Sequence, residues 1–321
     1  MPIYGPESIN LEGVRGDRYW YDAPFEFTGC EEIDARLSAF PVAVFLPPRC
    51  HPYTSLVIAL QGMCAPYTWN AFIIPTLTQM GFMVALFETP LAGERSLTRS
   101  FSANFLDEVH PFLQRGALLN AQFLRNVFSC VARDIRIVRD LCCERYRLQD
   151  PRIVLFGVSM GVLQSAFAFT ADGIGDCLLG VIGHADLKTF AASWGRPGLP
   201  ELANSFLGSV AYKVLPRLSP KLEVIVPMLR LVNELKQNNN DSTLCNPMTY
   251  LDRVHPSRRV RFLVGDRDPL VNCADSKACA ARFPDGDCYV VPGLGHGNNA
   301  FGPTFVDHVR YFLMTQLGQW S

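Results

Sequence analysis

A chain of 321 residues that is 49% hydrophobic and 18% charged has the apolar content to bury a large core, which excludes an intrinsically disordered polypeptide. Its 29 lysines and arginines balance 30 aspartates and glutamates to a formal net charge of -1, and no basic block offers the phosphate-neutralising surface that a nucleic-acid partner requires. No uninterrupted apolar run reaches the roughly 20 residues of a membrane-spanning helix, and residues 1–10 lack the basic and apolar regions of a secretory leader, so the expected location is cytoplasmic.

In chain order, the opening segment carries Tyr19, Trp20, Tyr21, Phe25 and Phe27, aromatic side chains suited to antiparallel edge strands packed on a core. Short apolar, β-branched runs ending in turn residues follow at 40–46, 56–60, 82–87, 153–156, 178–182, 260–264 and 288–291. That is the pattern of strands buried on both faces of a sheet. The segment 91–120 is too long for an ordinary strand-to-helix loop and carries Phe101, Phe105, Phe112 and Leu113, which suit the wall of a pocket. Next, Leu124, Phe128, Val131, Ile135, Val138 and Cys142 recur at helical spacing, with Arg125, Arg133, Arg136 and Arg139 interleaved. This predicts a helix that covers the sheet and holds its arginines in solvent.

Strands alternating with helices imply parallel pairing through crossover connections, so the expected class is α/β, with a mostly parallel central sheet flanked by helices. Ligand sites in such sheets lie at the carboxyl ends of the strands. The alternation breaks down over 187–256, which is mostly helical and interrupted by proline; it reads as an insertion, a candidate cap, within a single domain spanning 1–321. Eleven cysteines leave at least one thiol unpaired in a monomer. None stands in paired CxxC spacing with histidine partners, so no metal and no cofactor is expected.

The residues suited to chemistry cluster after three of the apolar runs. Gly157-Val158-Ser159-Met160-Gly161 follows the run 153–156 and precedes a helical stretch at 161–170. A serine at a sharp strand-to-helix turn projects outward, and glycine two positions to either side lets the backbone make the turn. A serine hydroxyl is a poor nucleophile at neutral pH; it needs an imidazole to take its proton and a carboxylate to orient that imidazole. Downstream, the run 260–264 ends in Gly265-Asp266-Arg267-Asp268-Pro269-Leu270-Val271, offering two carboxylates. The run 288–291 ends in Pro292-Gly293-Leu294-Gly295-His296-Gly297, an imidazole on a glycine-rich loop. His51, His110, His184, His255 and His308 lack such a setting and read as surface, turn or core groups.

With its elbow at Ser159, its Gly-Asp-x-Asp-x-x-Val segment and its Gly-x-Gly-His loop, in the chain order Ser, Asp, His, the sequence from about residue 40 to its end, apart from the insertion, resembles the α/β-hydrolase superfamily, serine esterases and lipases among its members. The resemblance implies Ser159 as nucleophile, His296 as base and Asp268, three residues after glycine, as the orienting acid, with Asp266 shaping the loop. It implies an oxyanion hole of two backbone N–H groups, from Met160 and from Met63 in the turn Gln61-Gly62-Met63-Cys64. Gln61 stands where the superfamily's pattern has histidine, and Val162 where a small residue is frequent; neither change touches a main-chain donor.

The expected activity is hydrolysis of a carboxylic ester, a small-molecule ester or acyl substrate, through an acyl-enzyme. A thioesterase, lipase or peptidase would use the same three residues with a different pocket. A non-catalytic binding protein on the same fold is the reading from another class, and the presence of all three side chains argues against it. A haloalkane-type reaction requires aspartate at the elbow, and a dinucleotide-dependent oxidoreductase requires GxGxxG order, which Gly157 to Gly161 lacks.

Overall fold

Each of the apolar runs becomes a strand of one sheet. A computed structural model describes residues 3–26, 28–63, 65–97, 110, 113–114, 118–194, 222–237, 244–296 and 302–318. The strands are β1 (Ile3–Leu11), β2 (Val14–Asp22), β3 (Ala39–Phe45), β4 (Leu56–Leu60), β5 (Met83–Phe87), β6 (Ile153–Val158), β7 (Cys177–Val181), β8 (Arg259–Gly265) and β9 (Asp285–Val291). They lie in the order β1-β2-β3-β5-β4-β6-β7-β8-β9. The helices are α1 (Glu31–Ser38), α2 (Ile74–Gln79), α3 (Ala121–Tyr146), α4 (Met160–Ala171), α5 (Leu187–Trp194), α6 (Leu222–Lys236), α7 (Cys273–Ala280) and α8 (Pro303–Leu317).

Connection length sets the strand direction. β1 turns into β2 through Glu12 and Gly13, both at positive φ (51° and 79°), the backbone twist that a tight hairpin needs. β1 pairs with β2, β2 with β3 and β3 with β5 in antiparallel fashion. From β5 across to β9 every pairing is parallel, because helices carry the chain back between successive strands. All residues of β4, β5, β6 and β7 are buried. Leu56, Ile58 and Leu60 face one core with Val131, Ile135 and Leu163, whereas Val57 and Ala59 face a second with Leu77, Phe305 and Phe312. Helices therefore cover both faces of the sheet, and each of these large side chains contributes about 1.5–3 kcal/mol by leaving water.

The strand predicted at 178–182 ends one residue early. Ile182 adopts a φ of 47° and sends its N–H to the Leu263 carbonyl (2.7 Å), away from the ladder with β6. β9 begins three residues before the predicted run, since pairing with β8 draws the polar Asp285, Gly286 and Asp287 into the sheet. The long helix α3 starts at Asn120, whose side chain accepts from the Phe123 N–H (2.9 Å), a cap that satisfies one of the first-turn donors. Its arginines are less solvated than the periodicity suggested. Arg136 pairs with Asp172 at 2.9 Å, and the Arg133 guanidinium sits 4.9 Å from the Phe25 ring centre.

β4 is where the topology switches. The chain goes from β4 to β5 on one side and then returns to β6 on the other, which opens a crevice at the carboxyl ends of β4 and β6. The segment 187–256 runs from the end of β7 toward β8 and contributes α5, α6 and a 3-10 turn at Pro247–Arg253; residues 195–221 and 238–243 lie outside the described residues, as do Phe27, Phe101, Phe105 and Phe112. Leu113 packs against the core. Among the described residues, no helix is long and apolar enough to cross a membrane.

Candidate active site

At the carboxyl end of β6 the chain turns sharply into α4, and Ser159 occupies the turn with φ 53° and ψ −116°. That left-handed conformation costs a side-chain-bearing residue on the order of 1–3 kcal/mol, which the surroundings must supply. The Ser159 N–H donates to the Val181 carbonyl and the Val162 N–H to the Ser159 carbonyl, each at 2.9 Å. Both neighbouring glycines are required for space. A Cβ on Gly157 would lie 2.4 Å from the Gly161 carbonyl oxygen, and one on Gly161 would lie 2.5 Å from that of Leu60.

The loops after β8 and β9 meet at this serine. Gly265 ends β8, and a Cβ there would fall 1.9 Å from the Leu294 carbonyl oxygen, so the bare backbone is what lets the two loops close on each other. The Arg267 N–H donates to the Leu294 carbonyl (3.1 Å), and Asp266 Oδ1 accepts from the Gly293 N–H (2.6 Å). Asp268 is fully buried at its side chain. Its Oδ1 accepts from the N–H groups of Leu270 (2.8 Å) and Val271 (3.0 Å), and its Oδ2 lies 2.7 Å from His296 Nδ1. His296 Nε2 in turn lies 2.9 Å from Ser159 Oγ. An ionised carboxylate only accepts hydrogen bonds, so Nδ1 carries the proton and Nε2 is left as the acceptor for the serine hydroxyl. Ser159, His296 and Asp268 are thus brought together across 28 and 137 positions of sequence; Asp266 is not part of that chain and ties the loops instead.

Met160 is the first residue of α4, so its N–H is among the first-turn donors that have no partner inside the helix. The turn after β4 approaches the serine closely, since a Cβ on Gly62 would meet the Ser159 Cβ at 3.6 Å. Met63 follows, and its side chain and that of Met160 line the same two hollows. Gln61 is buried. With its amide oriented to satisfy both ends, it donates to the Phe87 carbonyl (3.1 Å) and accepts from the Thr89 N–H (3.0 Å), joining the end of β4 to the end of β5.

Two contributors near the site were not legible in advance. Glu88, directly after β5, accepts the Tyr67 N–H at 2.8 Å and so fixes the far end of the turn that carries Met63. Burial pushes its carboxyl up to about 7, a rise that the Tyr67 N–H opposes and the neighbouring Glu94 adds to, while Arg95 and Arg18 lower it. Gln164, one turn into α4, lines a hollow with Met160. Its signal was a long polar side chain in a stretch, 161–170, otherwise made of apolar and small residues. Among the described residues, no cluster of His, Cys, Asp or Glu could hold a metal ion, and Cys130, Cys142, Cys177 and Cys279 are buried free thiols.

No protein-family profile and no curated protein matches this chain in sequence. Solved structures match it in shape. An acylaminoacyl peptidase from Pyrococcus horikoshii is similar with a TM-score of 0.56 at 11% identity, over 88% of this chain and 39% of that one, so this chain spans well under half of the peptidase's length. A lipase solved in its open form is similar with a TM-score of 0.56 at 16% identity, over 94% of this chain and 98% of the lipase. A thermostable carboxyl esterase from Bacillus coagulans gives 0.53 at 15% identity, over 94% and 98% of the two chains. At such identities the likeness shows a shared fold.

Proposed function

We propose that this chain, which has the α/β-hydrolase fold, is a serine hydrolase that cleaves a carboxylic ester through an acyl-enzyme intermediate. The observation that carries the reading is the unbroken line of hydrogen bonds from Ser159 Oγ through His296 to Asp268, at 2.9 and 2.7 Å. His296 Nε2 takes the hydroxyl proton as Ser159 Oγ attacks the ester carbonyl, and the same nitrogen then gives that proton to the departing alcohol. Asp268, held by two backbone N–H groups, keeps the imidazole in its Nδ1–H tautomer and stabilises the imidazolium. The N–H groups of Met160 and Met63 are the donors for the developing oxyanion. A water activated by His296 then releases the acyl group.

The apolar hollows that Met160 and Met63 line favour an apolar acyl group over a charged one, and the esterase and the lipase among the similar folds support an ester; a thioesterase or peptidase would use the same three residues. The segment 187–256 serves as a cap in this reading, since Leu187, Phe190, Met228 and Leu231 line one hollow together with Met160.

The test is labelling with a fluorophosphonate probe, which reacts with activated serines. Wild-type protein is expected to label and Ser159→Ala to remain unlabelled. Equal labelling of the two proteins would reject Ser159 as the nucleophile.

A further inference from the structure

Two hollows adjoin at Met63, Leu124 and Met160, which line both. The first runs beneath α5 and α6, and every described side chain in its wall is apolar. The second is bounded by Leu91, Phe123, Val127 and Phe128, and holds two polar side chains, Thr89 and Gln164. The Thr89 hydroxyl is bonded to Gln61. Gln164 differs. It is 4% exposed, and its Oε1 finds no hydrogen-bond partner among the described residues. A buried acceptor left unpaired is costly, and a ligand that donates to it removes that cost.

We propose that the second hollow is an acyl subsite, and that the substrate is an ester whose apolar acyl chain carries a neutral hydroxyl group donating to Gln164 Oε1. This rests on Ser159 being the nucleophile, with Met160 and Met63 holding the oxyanion. Among the described residues, Pro292 to His296 line neither hollow, and the leaving alcohol must lie toward the imidazole that protonates it. The acyl part therefore occupies the hollows. Gln164 follows Met160 by four residues on α4, a separation of ~6 Å along the helix axis, which an acyl chain of about six to eight carbons spans from the carbonyl at the oxyanion donors. A charged terminus is disfavoured, because no described residue lining the hollow carries a compensating charge.

The experiment compares wild-type hydrolysis of nitrophenyl esters of hexanoic, heptanoic and octanoic acids with their ω-hydroxy and ω-methoxy counterparts. The methoxy group fills similar space and cannot donate. At one chain length the hydroxy ester is expected to exceed the methoxy ester in kcat/KM by about 10-fold, and this ratio should fall toward one in Gln164→Leu and in Gln164→Met. Equal rates for hydroxy and methoxy esters at all three lengths, in wild-type protein whose Ser159 labels with fluorophosphonate, would overturn the subsite and leave the hydrolase reading standing. A hydroxyl preference that persists in either folded Gln164 variant would also overturn it. Protein that does not label at Ser159 would defeat both readings. The wild-type comparison decides the matter even if neither variant folds.

Discussion

Asp268 and His296 are bonded at 2.7 Å, and the second carboxylate oxygen of Asp268 is held by the N–H groups of Leu270 and Val271. The Asp266 side chain, two residues away, accepts from the Gly293 N–H instead. The two carboxylates therefore make different predictions. Asp268→Asn keeps the shape but lets the imidazole adopt the wrong tautomer, and kcat on a chromogenic ester should fall by roughly 10³–10⁴-fold. Asp266→Asn retains an acceptor for Gly293, and its loss should stay within about 10-fold. Steady-state kinetics of the two variants separates the assignments; the reverse ranking would make Asp266 the orienting acid.

Gly161 lies where α4 passes over the end of β4. A Cβ there would stand 2.5 Å from the Leu60 carbonyl oxygen and 2.6 Å from that of Gln61, and backbone cannot rotate aside as a side chain can. Gly161→Ala should lower stability by about 1–3 kcal/mol, and fluorophosphonate should label it more slowly, because displacing Gln61 moves the turn that bears Met63. Urea titration alongside timed labelling checks both. A variant as stable and as reactive as wild type would mean that the elbow tolerates a shift the distances do not allow.

Arg95 and Asp134 are both fully buried and paired at 2.6 Å. Arg95 also donates to the carbonyls of Glu88 and Leu37, and its guanidinium lies 4.8 Å from the centre of the Phe40 ring. Arg133 also pairs with Asp134, at 2.7 Å, so Arg95→Met leaves that carboxylate partly stranded and should cost less than the about 3–5 kcal/mol of a wholly uncompensated buried charge, whereas the double variant Arg95→Met with Asp134→Leu should recover part of that loss. Denaturant melts of the single and double variants measure the difference. A double variant no more stable than the single would assign the cost to packing against Phe40 and not to the stranded carboxylate.

Glu88 gives a pH dependence with a definite sign. Its folded-state value is raised from 4.5 to about 7, so between those limits the folded chain holds a proton that the unfolded chain has released. The contribution of Glu88 to stability is fully present below pH 4.5, declines as pH rises, and is lost once pH passes about 7, up to roughly 3 kcal/mol. Glu88→Gln keeps an acceptor for the Tyr67 N–H and cannot ionise. Relative to wild type, its Tm should be higher at pH 8 than the same comparison gives at pH 5. Parallel shifts at both pH values would show that Glu88 does not change its proton occupancy on folding.

By itself, the sequence determined the sheet, the elbow and the order of the reactive residues, because these depend on local regularities: apolar runs bounded by turn residues, and glycines flanking Ser159. The extent of β9 escaped it, since Asp285 and Gly286 become strand only through pairing with β8. So did the buried role of Asp134, which sits in a helix of ordinary amphipathic pattern and is buried because Arg95, 39 residues earlier, reaches it. The resemblance pointed to Asp268, and the tertiary structure is where that carboxylate faces His296, for Asp266 and Asp268 follow the same strand and differ in the direction their side chains take. It alone left Gln164 Oε1 without a partner among the described residues, because whether a polar group is satisfied depends on what folding brings within about 3 Å of it, and no spacing along the chain records that distance.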